Sequence, residues 1–129
     1  MQLTPFMKEK MSSPPQDEID ALVNLYHSGQ MAEAEQACKE LLKPYPQALV
    51  AINVLGAALQ GQGKLQEAVQ AYDKAIQLKP DFAEAYYNRG SILDQLGQLD
   101  KAIASYDKAI QLKPDFAGAY YNRGITWNS

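Results

Sequence analysis

The chain has 129 residues, a formal net charge of −3, and 47% apolar against 21% charged residues, a balance ordinary for one globular domain. Twelve Lys and Arg against fifteen Asp and Glu form no basic stripe, which disfavours nucleic-acid binding driven by phosphate contacts. A lone cysteine excludes an internal disulfide, the apolar runs fall far short of a membrane span, and the start lacks a basic-then-apolar signal, so the expected compartment is cytoplasmic.

Residues 1–14, MQLTPFMKEKMSSP, mix prolines, serines and charges without an apolar period, and read as a flexible leader. A bound recognition segment is the alternative, and Met7 or Met11 is an alternative start. From Gln16 the pattern changes: Ile19, Leu22, Val23, Leu25 and Tyr26 recur at helical spacing until Ser28-Gly29 breaks it. Residues 32–43 carry Ala34, Ala37, Cys38, Leu41 and Leu42 on one side, and Pro44 and Pro46 stop them. The same two-helix phrase follows over residues 47–61, ended by Gly61 and Gly63, and residues 65–78, closed by Pro80. A third pair spans 82–96 and 99–112, closed by Pro114, and residues 116–127 begin a fourth. Links of two to four residues make successive helices antiparallel neighbours. The expected class is all-α, with seven helices and no strand.

YDKAIQLKPDFAEAYYNRG at 72–90 and YDKAIQLKPDFAGAYYNRG at 106–124 lie 34 residues apart and differ only at Glu84 and Gly118. A fixed period of that size means one supersecondary unit repeated in tandem, each copy covering the apolar face of the next. The second unit carries Leu55-Gly56, Leu59, Gly63, Ala68, Tyr72, Ala75 and Pro80, and the third carries Tyr86, Gly90, Leu93, Gly97, Ala102, Tyr106, Ala109 and Pro114, with Gly56 through Pro80 in register with Gly90 through Pro114. This pattern resembles the tetratricopeptide repeat family. The first unit is looser, with Leu22 where that family has glycine and Leu41 where it has its last alanine; Cys38 takes the place of an aromatic. The fourth is half a unit with Tyr120, Gly124 and Trp127 in place. The resemblance implies an α-α superhelix of about three and a half repeats, over 15–48, 49–82, 83–116 and a partial 117–129. Gly90 and Ala102 are expected at the close approach of paired helices, with Tyr72, Tyr106, Phe82 and Phe116 as aromatic bulk.

The resemblance also implies a function, a scaffold that binds an extended peptide or a partner protein on the concave face lined by the first helix of each pair. The inward positions would be Asn53, Ala57 and Gln60, then Glu84, Tyr87, Asn88, Ser91 and Asp94, then Tyr121, Asn122 and Ile125. Asn88 and Asn122 match the asparagine ladder of O-linked N-acetylglucosamine transferases and related bacterial proteins, whose amides bind a peptide backbone; a plain solvent-facing consensus is the other reading. The family's clamp for chaperone C-termini is not expected, because Ile19, Val23, Val54 and Glu84 occupy its places. Arg89 and Arg123 stand where leucine is usual and are expected to lay their stems on the core and reach a carbonyl or carboxylate, with an acidic ligand as the alternative. Asp73 and Asp107 read as a solvated face.

No enzyme, metal or cofactor is expected in this chain. Cys38 reads as a small buried hydrophobe and His27 as a helix-end cap rather than as nucleophile and base, and no phosphate-binding glycine motif occurs. Two alternatives remain at this level. The chain is the N-terminal substrate-recognition part of a larger enzyme of glycosyltransferase or sulfotransferase type, or it is a structural module that self-associates through Tyr120, Ile125 and Trp127 on its uncapped last helix, giving a homodimer.

Overall fold

The computed structural model describes residues 13–128; of the leader expected over 1–14, residues 1–12 lie outside the described residues. Seven helices follow: α1 (Gln16–His27), α2 (Met31–Leu42), α3 (Leu49–Gly61), α4 (Leu65–Leu78), α5 (Ala83–Gln95), α6 (Leu99–Leu112) and α7 (Ala117–Trp127). No strand occurs among the described residues. Every helix lies within two residues of its predicted bounds. The chain divides into two compact units at Lys64 and Leu65, inside the second repeat, so that the first unit holds α1 to α3 and the second α4 to α7.

Within each unit the turns repeat as the sequence does. Gly29, Gly63 and Gly97 sit just past α1, α3 and α5 with φ of 79°, 76° and 78°, a region closed to most side chains. After α5 the Gly97 amide donates to the Asp94 carbonyl and the Gln98 amide to the Leu93 carbonyl, both at 2.9 Å, which satisfies two carbonyls the helix end leaves open. The following helix can therefore start at once and run back.

In the first unit α2 packs against both α1 and α3. Its core joins Leu22, Cys38, Leu41, Tyr45, Ala48 and Ala51, with Ile19, Ala37, Val54 and Leu55 packed against it. The looser first repeat is thereby explained. In the third repeat Gly90 meets the ring of Tyr106, whereas at the matching positions of the first repeat Leu22 and Cys38 share one cluster. Large and small have changed places while the volume is kept. Tyr45, between the two prolines and unmarked by the helical period, is 2% exposed and among the largest buried side chains.

A polar cluster closes the same unit. Glu35 on α2 is buried, and it accepts hydrogen bonds from Lys39, from Lys64 Nζ at 2.9 Å and from Gln62 Nε2 at 2.9 Å. These bonds, with Lys39 the largest contributor, lower its pKa from 4.5 to about 2.

In the second unit α5 packs against α4 and α6, and α7 against α6 and α5. Leu93, Ala102 and Tyr106 form the core, with Val69 and Tyr87 against it. A Cβ built on Gly90 would lie 2.7 Å from Cε1 of Tyr106, so only glycine permits this crossing. Phe82 and Phe116, expected as buried bulk, are half-buried residues preceding α5 and α7. Lys79 and Lys113 lie over their rings at 5.3 and 5.0 Å.

Candidate functional site

The expected peptide-facing residues fall on different units. Asn53 belongs to α3 of the first unit, where it is half-buried and its Oδ1 is buried without a hydrogen-bond partner among the described residues. The others gather on α5 and α7, which touch each other in the second unit.

Tyr87 organises that face. Its ring lies 4.8 Å from Phe116 and 6.0 Å from Tyr106, centroid to centroid, and its Oη accepts a hydrogen bond from Asn122 Nδ2 at 3.0 Å. A Cβ at Gly118 would stand 3.3 Å from that hydroxyl. The sole difference between the two repeated stretches, Gly118 against Glu84, thus leaves room for the Tyr87 phenol. Burial, followed by the charge of Asp94, pushes the phenol of Tyr106 up to about 12.

Asn88, at the matching place one repeat earlier, behaves differently: it is half-buried and its side-chain amide makes no hydrogen bond to another described residue. Ser91 is half-buried one turn along, and Tyr121 projects with 70% of its surface exposed. Glu84 is exposed and loosely paired with Lys113 Nζ at 3.6 Å. The face therefore offers one open amide, one amide engaged by a tyrosine, and a flat exposed ring. Donor and acceptor groups of this kind match a polypeptide backbone.

Two features were out of reach of spacing rules. Arg89 donates from Nε to Ser105 Oγ at 3.1 Å and from its terminal nitrogen to Asp73 Oδ1 at 3.0 Å, while Arg123 pairs with Asp107 Oδ1 at 2.8 Å. The arginines reach carboxylates as expected. Asp73 and Asp107 do lie on a solvated face, with side chains 49% and 53% exposed, and from it they pair with the two arginines across neighbouring helices. Each guanidinium also stacks over a tyrosine, Tyr86 or Tyr120, at 5.3 Å. Arg89 lines a groove of about 480 Å³ between α4 and α6, already satisfied by Asp73 and Ser105.

Cys38 is fully buried and burial pushes its thiol up to about 12, so it stays protonated near neutrality, whereas His27 is exposed and edge-on to Tyr26 at 5.6 Å. No cluster of three or more potential metal ligands occurs among the described residues.

The family model described as Tetratricopeptide repeat matches residues 53–117. The chain belongs to the tetratricopeptide repeat family. No curated protein matches it. Among solved structures, this tetratricopeptide chain is similar to a crystal structure of MamA at 29% identity and a TM-score of 0.84, covering 88% of this chain and 66% of that one. A mutant O-GlcNAc transferase from Thermobaculum terrenum aligns at 25% identity and a TM-score of 0.80, covering 98% of this chain and 23% of that one. This chain thus spans just under two thirds of MamA and less than a quarter of the transferase. The first tetratricopeptide domain of Spaghetti (RPAP3), bound to the HSP90 peptide SRMEEVD, shares the fold at 18% identity and a TM-score of 0.84, covering 88% of this chain and 90% of that one. None of the described helices is long and apolar enough to cross a membrane.

Proposed function

We propose that the chain is a non-catalytic protein-binding module that holds an extended polypeptide on the exposed faces of its first helices. The carrying observation is the α5 and α7 face: Asn88 is free to bond a guest while the Tyr87–Asn122 hydrogen bond at 3.0 Å fixes its surroundings. A guest backbone would donate to and accept from the Asn88 amide, accept no demand on its side chains there, and lie against Tyr121. In the first unit Asn53 Oδ1 offers a further acceptor that a guest amide would satisfy. Neighbours of the same fold support the class, since RPAP3 is bound to an HSP90 peptide and the Yersinia enterocolitica chaperone SycD to a peptide of the translocator YopD. Ile19, Val23, Val54 and Glu84 supply no cationic clamp, so a terminal carboxylate is not the anchor.

Screening an array of extended peptides against the full chain, with amide shifts mapped by NMR, tests this. Binders are expected to perturb α5 and α7, and Asn88→Ala to weaken them by about 0.5–1.5 kcal/mol, the net value of a hydrogen bond. Binders indifferent to Asn88→Ala, with shifts confined elsewhere, would remove the proposal.

A second reading is favoured by the last helix. Tyr120, Ile125 and Trp127 are 44%, 50% and 68% exposed, and a Cβ on Gly124 would meet nothing within 4 Å, whereas its counterpart Gly90 is capped by Tyr106. Self-association of two chains through this face would cover it. Light scattering across a concentration range should show a dimer that Trp127→Ala weakens; a monomer throughout would end this reading. The likeness to the transferase supports one more setting, in which these repeats choose the substrate of a larger enzyme.

A further inference from the structure

A groove of about 330 Å³ lies in the first unit between α1 and α2. Leu22, Ala37, Leu41 and Pro44 give it an apolar floor, and Glu18 and Glu40 line it with carboxylates. One atom there is out of balance. Glu18 Oε2 is buried and has no hydrogen-bond partner among the described residues, although a carboxylate oxygen removed from water needs a donor. Glu18 also sits close enough to the buried phenol of Tyr45 for its charge to help raise that group, after burial itself.

The repeat shows what kind of object covers such a place. One period on, the positions of Glu18 and Ala21 are held by Ile52 and Leu55 on α3. Ile52 is fully buried, and Leu55 packs on the cluster to which α2 contributes Cys38 and Leu41. The cover in that case is an amphipathic helix with an apolar stripe. Where the repeat has Ile52, this groove has Glu18, whereas the Glu40 carboxylate is already paired with Lys43 Nζ at 3.2 Å, so the unmet charge is that of Glu18.

We propose that the α1 and α2 groove docks a basic amphipathic helix of a partner protein, with leucine-like side chains on the floor and one lysine or arginine donating to Glu18 Oε2. The apolar floor alone would accept many helices; the unpaired carboxylate selects those with a cation among the apolar residues. This surface is separate from the backbone-binding face on α5 and α7, and neither proposal requires the other.

The probe is a synthetic helix-forming peptide of about 14 residues, with leucines spaced i, i+3, i+4, i+7 and one arginine among them. Titrated into the isotope-labelled full chain, it should shift the signals of Leu22, Ala37 and Leu41. Glu18→Gln keeps the shape and should weaken the peptide roughly tenfold, consistent with losing one charge-assisted hydrogen bond. A peptide with glutamate in place of the arginine should not bind. Equal binding by Glu18→Gln, equal binding of the glutamate peptide, or shifts confined to α5 and α7 would overturn the proposal. So would groove signals that move on Lys8→Glu/Lys10→Glu without any peptide, which would give the groove to the chain's own N-terminal residues. A mass that grows with concentration and depends on Glu18 would give it to a second copy, with the same consequence.

Discussion

Gly90 and Gly124 occupy the same place one repeat apart, yet adding a methyl group should have opposite effects. At Gly90 the new atom would stand 2.7 Å from the buried ring of Tyr106, and at Gly124 it would meet nothing within 4 Å. Denaturant unfolding should show Gly90→Ala destabilised by about 1–3 kcal/mol, and Gly124→Ala neutral or stabilised by up to about 1 kcal/mol through helix propensity. Equal effects would mean that the Gly90 crossing is looser than it looks. Leu22 and Cys38 state the same principle with sizes exchanged. Leu22→Gly alone should leave a cavity and Cys38→Tyr alone should overpack, so the double variant should be more stable than the two losses added together. Glu35 is the residue whose charge matters most. Its folded pKa of about 2 lies below its ordinary 4.5, so its stabilisation is complete above about pH 4.5 and fades as pH falls toward 2. Thermal melts should therefore show Glu35→Gln less stable than the natural chain at pH 7, with the gap narrowing by pH 3; a constant gap would contradict the Lys39, Lys64 and Gln62 cluster as its source.

Helix bounds were readable because their signals are local. Apolar spacing, Pro44 and Pro114 each act within a few residues, and all seven helices lie where these signals put them. The three turn glycines follow the same logic, and Gly97→Ala should cost about 1–2 kcal/mol because its φ of 78° brings Cβ against the backbone. If calorimetry finds no loss, the turn has another conformation open to it. What spacing could not supply were pairings across helices. Arg89 and Asp73 are 16 residues apart, on α5 and α4, and nothing in the periodicity of either helix says that they meet. Tyr45 escaped for a related reason, since it lies in a link between prolines where no helical stripe marks the inward side. The candidate face was half readable. Asn88 and Asn122 stood out as equal rungs by their period, but only the geometry shows that Tyr87 engages the second and leaves the first open.

A tandem-repeat chain has little central core, and each compact unit must hold itself together from neighbouring helices. The first unit does so through one ring that no repeat consensus supplies. Tyr45 gathers Leu22 of α1, Cys38 and Leu41 of α2 and Ala51 of α3 into a single cluster, so its loss should be felt by all three helices rather than by the link that carries it. Tyr45→Ala should cost about 3–5 kcal/mol, the range for a deleted buried aromatic. Amide hydrogen exchange resolved by helix is the measurement that separates a local role from a cohesive one. A cohesive Tyr45 predicts faster exchange in α1, α2 and α3 alike, because removing a shared ring lowers the free energy of opening for every helix that packs on it. Faster exchange confined to residues 43–48 would show instead that Tyr45 only anchors its own link, and that the first unit is held by Leu22, Cys38 and Leu41 without it.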